Sequence, residues 1–313
     1  MRAAVVITLA LSLGFSASAH AYVPYRTADK LHAFYWPESC VGLTVYADNF
    51  TELPYDQTMN ALRAAARTWS RSAVSCTYMN LEVLTGTGTP PHAGNDGRNV
   101  MIFRTDRWCK WSDPPEACSY DQSALAITSV FAKGDGHMID ADIEVNAAMA
   151  DIRWMNADVM VQPGKHDFQN AITHEMGHFL GFDHTCYKPG PNKERQLDDQ
   201  GNPEPDCDSA PPDVQMTVMF DETTAGETSK RNLSPDDQKA VCSTYAPSLD
   251  PKICTVNPPN DTVGCAVAGR GDARSGVALA VLAALALSAR AAGRRGDRGP
   301  TARRAPRWPA RRS

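Results

Sequence analysis

Apolar and polar residues follow strand-like patterns in five short stretches of the chain. Residues 41–47, 81–84, 99–104, 124–132 and 138–146 are rich in apolar and β-branched side chains. Such runs, bounded by Gly, Pro, Asn and Asp, predict β-strands. The last two stretches flank the sequence Lys-Gly-Asp-Gly, which is typical of the turn in a β-hairpin.

Three other stretches carry apolar residues at the spacing of an α-helix. One covers residues 56–72, and a second covers 167–180 and is stopped by Gly181. A third helix is predicted to begin after Ser234, which is followed by a proline and two aspartates, and to run to about Tyr245. Serine as N-cap, proline at the first position and acids in the first turn all favour a helix start.

The second helix carries a pattern of histidines that predicts a metal site. His174 and His178 are four residues apart, so their side chains lie on one helix face and reach one metal ion. Gly181 allows a left-handed turn, and the chain then returns His184 as a third ligand. Three protein ligands leave one coordination position open, which is typical of a catalytic zinc ion.

Glu175 follows the first predicted ligand and is placed to act on a metal-bound water rather than on the metal itself. The alternative is that His174 and His178 are solvated residues on a helix. Five required residues at fixed spacing argue against that alternative. With the motif HEMGHFLGFDH the sequence resembles the metzincin metalloproteases, and among them the matrixins.

The resemblance extends beyond the histidines. Residues 217–220 look like the family's methionine turn, with Met219 as the apolar floor under the zinc ion and Met216 as the second choice. The helix after Leu-Ser-Pro-Asp-Asp resembles the last helix of matrixin catalytic domains. The resemblance covers residues 40–247 and implies an α+β, zincin-like domain with a mixed five-stranded sheet over the active-site helix.

The family resemblance implies a zinc-dependent endopeptidase with Glu175 as general base and a protein or peptide as substrate. Residues 124–132 match the edge strand that holds the peptide in relatives. The alternative function is a zinc-bearing binding or adhesion module that has lost hydrolysis. Residues 185–215 depart from the family, because they form a longer Pro-, Asp- and Asn-rich segment than matrixins carry there.

The strand predicted at 138–146 has three acidic residues on one face, because Asp140, Asp142 and Glu144 alternate with apolar residues. One interpretation is a solvated strand face. The other is a structural calcium site, since hard cations bind several oxygen ligands and matrixins bind structural ions beside their corresponding hairpin.

Nine cysteines in an exported chain predict disulfides. The preferred pairs are Cys109 with Cys118 and Cys186 with Cys207, then Cys40 with Cys76, which leaves Cys242 with Cys254. The sequence does not determine this connectivity, because eight cysteines allow 105 pairings. The alternative role for Cys40 is a latency switch that occupies the open zinc position. Cys265 stands apart from the other eight.

Both ends of the chain carry sorting patterns. Residues 1–21 have a basic residue, an apolar run and a small-x-small cleavage site, and predict a secretory signal peptide, with a short buried helix as the alternative. Residues 22–39 form an N-terminal extension, and 248–264 form a linker. Residues 22–264 carry a formal charge of about −15, which argues against nucleic acid as a partner. We expect a monomer.

Residues 265–313 resemble the C-terminal sorting signals of myxobacterial surface proteins. Cys265 is followed by an apolar run over 277–289 and by an arginine-rich tail. The resemblance implies that a membrane protease cuts near Cys265 and that the new end becomes lipid-anchored at the cell surface. The run of 13 residues is shorter than the roughly 20 that a membrane helix needs. The alternatives are a simple tail anchor or a disordered basic tail.

Overall fold

The fold combines one large sheet with two long helices. The computed structural model describes residues 22–190 and 193–256. The strands are β1 (Cys40–Tyr46), β2 (Asn80–Thr85), β3 (Val100–Arg104), β4 (Ala126–Ala132), β5 (Met138–Asn146), β6 (Trp154–Met155) and β7 (His166–Asp167). The helices are α1 (Tyr55–Trp69), α2 (Phe168–Phe179), the single turn α3 (Pro212–Gln215) and α4 (Pro235–Thr244).

The large sheet has the strand order β2-β1-β3-β5-β4. Neighbouring strands run parallel, except that β4 pairs antiparallel with β5 through the predicted hairpin. The predictions of an α+β class and of a mixed five-stranded sheet are therefore confirmed. Because β4 lies at the edge of this sheet, one side of its backbone is left without a strand partner.

Helices α1 and α2 pack against each other and bury the residues that form the helical pattern. Leu62, Ile172 and Phe179 are fully buried, and each such side chain stabilises the fold by about 1.5–3 kcal/mol. The indole of Trp69 donates a 2.8 Å hydrogen bond to the carbonyl of Thr173, which ties α1 to α2. This packing fixes the position of the helix that carries His174 and His178.

Helix α2 begins and ends where the sequence predicts. The side chain of Asp167 accepts a 3.0 Å hydrogen bond from the amide of Asn170 and caps the first turn. Gly181 follows the helix with φ of +93°, and a side chain there would approach the carbonyl oxygen of Phe34 to 2.8 Å. The predicted left-handed glycine is confirmed, and the N-terminal extension occupies the space beside it.

The disulfide predictions are half right. Cys109–Cys118 and Cys186–Cys207 lie at disulfide distance as predicted, with Cα atoms 4.8 and 4.9 Å apart. The predicted pairs Cys40–Cys76 and Cys242–Cys254 are wrong, because Cys40 pairs with Cys254 and Cys76 with Cys242. Four such pairs are typical of a protein that folds in an oxidising compartment.

The two wrong pairings have one cause, which is that the C-terminal segment returns to the start of the sheet. The amide of Ser39 donates to the carbonyl of Ile253, and the amide of Tyr78 donates to the carbonyl of Tyr245. These contacts place Cys254 beside Cys40 at disulfide distance. Cys40 is therefore a disulfide partner and not a latency switch.

Some predicted segments lie outside the described residues. These are the signal peptide at 1–21, residues 257–264 of the linker, and the sorting signal that begins at Cys265. Within 22–190 and 193–256, every helix is too short or too polar to cross a bilayer.

Candidate metal centre

Three imidazoles meet beside α2. His174 and His178 project from one face of the helix, and the turn at Gly181 brings His184 back toward them. The Nε2 atom of His184 lies 3.2 Å from Nε2 of His174 and 3.1 Å from Nε2 of His178. Within the described ranges, this is the only cluster of three or more His, Cys, Asp or Glu side chains with metal-binding spacing.

The outer nitrogen of each imidazole has a hydrogen-bond acceptor, and these acceptors decide the tautomers. Nδ1 of His174 donates to the carbonyl of Val218 at 2.6 Å, and Nδ1 of His178 donates to that of Phe182 at 2.7 Å. A carbonyl only accepts, so both Nδ1 atoms carry the proton and, in neutral imidazoles, both Nε2 atoms are free of it. Nδ1 of His184 lies 3.0 Å from a carboxylate oxygen of Asp221, which favours the same tautomer.

The inner nitrogens therefore point unprotonated lone pairs at one another. Burial lowers the pKa of His178 and of His184 to about 3, and lowers that of His174 well below its usual value. The three rings are neutral at pH 7, as metal ligands must be. Tetrahedral ligands at 2.0–2.1 Å from a zinc ion would lie ~3.3 Å apart, close to the observed 3.1 and 3.2 Å. The triad could bind a metal ion.

Glu175 sits between the histidines and the edge strand. Its side chain is buried, and the hydroxyl of Thr128 on β4 donates a 2.6 Å hydrogen bond to its Oε2 atom. Burial raises the pKa of Glu175 to about 7. A carboxyl group with a pKa near the working pH can accept and return a proton during a reaction.

Met219 packs directly under the helix that carries the ligands. A Cβ atom built on Gly177 would clash with the sulfur of Met219, so the absence of a side chain at Gly177 permits the contact. The carboxylate of Asp237 accepts hydrogen bonds from the amides of Val218 and Met219 and holds this turn in place. Met216 is 63 % exposed, so of these two methionines only Met219 can form an apolar floor.

The three histidines open onto a cleft of about 660 Å³. One wall is formed by the edge strand β4 and the residues before it, and another by the start of α2 and residues 221–224. Glu175 and all three histidines line this cleft together with β4, so a peptide chain lying along β4 would pass them.

The three acidic residues of β5 do not share this site. Asp140, Asp142 and Glu144 are all buried, so the solvated-face interpretation is wrong. Backbone amides of Asp96 and Gly97 donate to Oδ2 of Asp140, and those of Gly94 and Val100 donate to Asp142.

Glu144 is held by other side chains rather than by backbone amides. It pairs with Arg104 at 2.5 Å and accepts from the hydroxyl of Tyr120. Burial raises the pKa of Asp140, and raises that of Asp142 to about 7.

The residues that orient the histidines and Glu175 were not predicted from the sequence. Thr128, Val218 and Asp221 contact Glu175, His174 and His184 respectively. Tyr25 of the N-terminal extension places its hydroxyl 3.1 Å from Nδ1 of His178. No spacing rule connects these residues to the motif, although the position of Asp221 two residues after Met219 made it the easiest to find.

Comparisons with known proteins add no family assignment. No protein-family model matches the chain, and no curated protein matches its sequence.

Proposed function

We propose that this chain is a zinc-dependent metalloendopeptidase of the metzincin type. One observation carries the proposal: three unprotonated imidazole nitrogens converge beside a buried glutamate, in a cleft bordered by an edge strand. The mixed sheet, the left-handed Gly181 and the methionine under the ligand helix are compatible with the same family. Three histidines leave a coordination position for water or substrate, which a closed structural site lacks.

The residues of the site have separate roles in peptide hydrolysis. His174, His178 and His184 would hold the zinc ion, which when bound lowers the pKa of its water toward about 7 and polarises the scissile carbonyl. Glu175 accepts the proton of the attacking water and delivers it to the leaving amine. The hydroxyl of Thr128 holds one carboxylate oxygen of Glu175, which leaves the other for that proton.

The edge strand supplies a way to bind the substrate. The free side of β4 can take an extended peptide as an added strand, with backbone hydrogen bonds that hold any sequence. Thr128 lies in this strand and contacts Glu175, so a peptide paired with β4 passes within reach of the general base. This placement favours a protein or peptide substrate.

The alternative of a silent binding or adhesion module has less support. A module without hydrolysis has no need of a carboxyl group whose pKa is near 7 beside the metal ligands, whereas Glu175 combines burial, that pKa and a fixed orientation. Export, surface anchoring and removal of the C-terminal tail by a membrane protease remain part of the proposal, and four cysteine pairs at disulfide distance support the export.

Calcium is the second metal in the proposal. Asp140 and Asp142 are neighbouring buried carboxyl groups with raised pKa values, and Oδ1 of Asp140 lacks a hydrogen-bond partner within the described ranges. A cation there would compensate their negative charge. The backbone amides already donate to three of the four oxygens, so calcium binding stays a prediction for Asp140, Asp142 and Glu144.

The test is a peptide-library digest with zinc-loaded protein, with chelator-treated protein and with the Glu175→Ala variant. We expect hydrolysis that a chelator abolishes and zinc restores. Glu175→Ala should keep one zinc ion per chain and lose hydrolysis by about 10²–10⁴-fold, because the residue transfers a proton and does not bind the metal. Glu194→Ala, which changes an exposed glutamate that does not line the cleft, is the matched control. Substantial turnover by Glu175→Ala would refute the mechanism.

A further inference from the structure

One cation is buried in the wall of the cleft. Lys230 is 3 % exposed, and its ammonium group donates to the carbonyls of Phe220 at 2.5 Å and Glu222 at 2.7 Å. The residue lines the cleft together with Asn170, His174 and Thr223. An ammonium group has three protons, so two carbonyls leave one donor available.

Four carboxylates near Lys230 attract its charge, and each of them is also held by another group. Glu175 accepts from the hydroxyl of Thr128. Glu227 accepts from Ser229, Thr223 and Thr224, and Asp221 is paired with His184. Asp237 is occupied by the amides of the methionine turn and by Ser234. Within residues 22–190 and 193–256, Lys230 therefore forms no ion pair.

A buried cation without a direct ion pair is costly, because two carbonyls and more distant carboxylates replace only part of the hydration that a full charge loses. Burial lowers the pKa of Lys230 to about 8, which still leaves the ammonium form in excess at pH 7. A substrate carboxylate would supply the missing charge and accept the third proton in a charge-assisted hydrogen bond.

We propose that Lys230 makes this cleft select peptides that carry a glutamate or aspartate side chain beside the scissile bond. The carboxylate would enter between the start of α2 and residues 221–224, where Asn170 and Thr223 line the wall with Lys230. This inference rests on the proposed peptidase function and names the substrate class of that same site.

Other charges near the cleft do not explain such a preference. Lys188 and Lys193 also line the cleft. Lys188 is half exposed and already paired with Glu222 at 3.0 Å, and Lys193 is exposed, so solvent screens both charges more than the buried charge of Lys230. The formal charge of about −15 on residues 22–264 repels acidic peptides at long range. A preference for acidic peptides would therefore come from a local contact, and added salt would screen a buried contact less than the long-range repulsion.

The experiment compares zinc-loaded wild-type protein on peptide sets that differ by Glu, Gln, Asp or Asn at one position on either side of the cleaved bond. We expect kcat/KM for the acid to exceed that for its amide by about 10- to 100-fold at one position. Lys230→Met should bring this ratio to about 1, whereas the control variants Lys188→Met and Lys193→Met should each retain it. Lys230→Arg keeps the charge and should retain a ratio above 1.

A wild-type ratio of 1 or below would overturn the inference, as would a ratio that survives Lys230→Met or disappears in Lys188→Met or Lys193→Met. If Lys230→Met does not fold, the wild-type and Lys230→Arg ratios decide the matter. Binding of the same peptides to zinc-loaded Glu175→Ala, followed by fluorescence anisotropy, needs no hydrolysis. Absence of cleavage with an acid-over-amide binding preference refutes the peptidase function alone, and cleavage without such a preference refutes this inference alone.

Discussion

The three histidines and the acids of β5 both bring buried acceptor atoms close together. The two clusters differ in where the hydrogen-bond donors of the protein lie. In the histidine cluster, protein groups on the outside of each ring fix the Nδ1 atoms, and three unprotonated Nε2 atoms face one another. On β5, backbone amides and Arg104 point directly at the carboxylates. Within residues 22–190 and 193–256, no backbone amide, lysine or arginine donates to the inner Nε2 atoms of the histidines. The acids of β5, in contrast, accept most of their hydrogen bonds from groups of the protein itself.

A group of residues of the types that bind metals is therefore not enough to indicate a metal site. What matters is whether hydrogen bonds from the protein already occupy the atoms that would bind the metal, or occupy only the atoms on the outer side of the cluster. The acids of β5 have the residue types for calcium, yet the loop before β3 supplies amides to Asp140 and Asp142. The histidines have no such donors on their inner nitrogens, so a metal ion fits them better.

The largest expected effect is on zinc affinity, and it comes from removing one of the three histidines. His178→Ala should lower zinc affinity by more than the roughly 100-fold that the loss of an outer partner costs, because a ligand itself is lost. Bound zinc would be counted by mass spectrometry of the native protein. Asp142→Asn is the matched change in the other cluster and should leave one zinc ion bound. Equal zinc loss in both variants would contradict the comparison.

Removing the charged donor of the acidic strand should destabilise the fold without affecting the metal. Arg104 and Glu144 form a buried ion pair at 2.5 Å, and loss of one partner of such a pair costs about 3–5 kcal/mol. We expect Arg104→Met to lower the free energy of unfolding by this amount in a denaturant titration. The double variant Arg104→Met with Glu144→Leu should recover part of the loss, and failure to recover any would argue against an uncompensated charge as the cause.

Weakening an outer acceptor of the histidine cluster should have an intermediate effect. Asp221→Asn replaces the carboxylate that holds Nδ1 of His184, and such changes cost about 10- to 100-fold in metal affinity. Competition with a zinc chelator measures it. Glu222→Gln, one residue along the chain, leaves that contact intact and should bind zinc as the wild type does. Unchanged zinc affinity in Asp221→Asn would show that the carbonyl groups bound to His174 and His178 are enough to orient the site.

A pH-dependent effect on stability is expected at Asp142. Burial raises the pKa of Asp142 in the folded chain to about 7 from its usual 3.8. The folded state holds this proton between about pH 4 and pH 7 while the unfolded chain has released it, so the stability contribution of Asp142 falls as the pH rises through that range. Asp142→Asn should remove this part of the slope of melting temperature against pH.

Calcium gives the same site a second test. If Asp140 and Asp142 bind the ion, calcium should raise the melting temperature of zinc-loaded protein by mass action, and more strongly as the pH rises through about 7, where Asp142 loses its proton. A melting curve that calcium leaves unchanged would mean that backbone amides alone compensate these acids. Magnesium at the same concentration is the control for ionic strength.

Much of this protein follows from its sequence, because the deciding interactions are local. The i, i+4 spacing of His174 and His178, the left-handed Gly181 and the capping of α4 by Ser234 involve neighbours within a helical turn or two. The alternation on β5 placed its acids on one face for the same reason. The short-range pairs Cys109–Cys118 and Cys186–Cys207 were also predictable, because each closes one loop.

Only the tertiary structure decided which distant segments meet. The return of residues 245–254 to the start of the sheet set the pairs Cys40–Cys254 and Cys76–Cys242, with sequence separations of 214 and 166 residues. The same long-range packing brought Asp221 to His184 and placed Lys230 in the cleft wall. It also buried Asp140 and Asp142 of β5 under the loop before β3. Periodicity shows which face a side chain lies on, but what covers that face depends on the path of the whole chain.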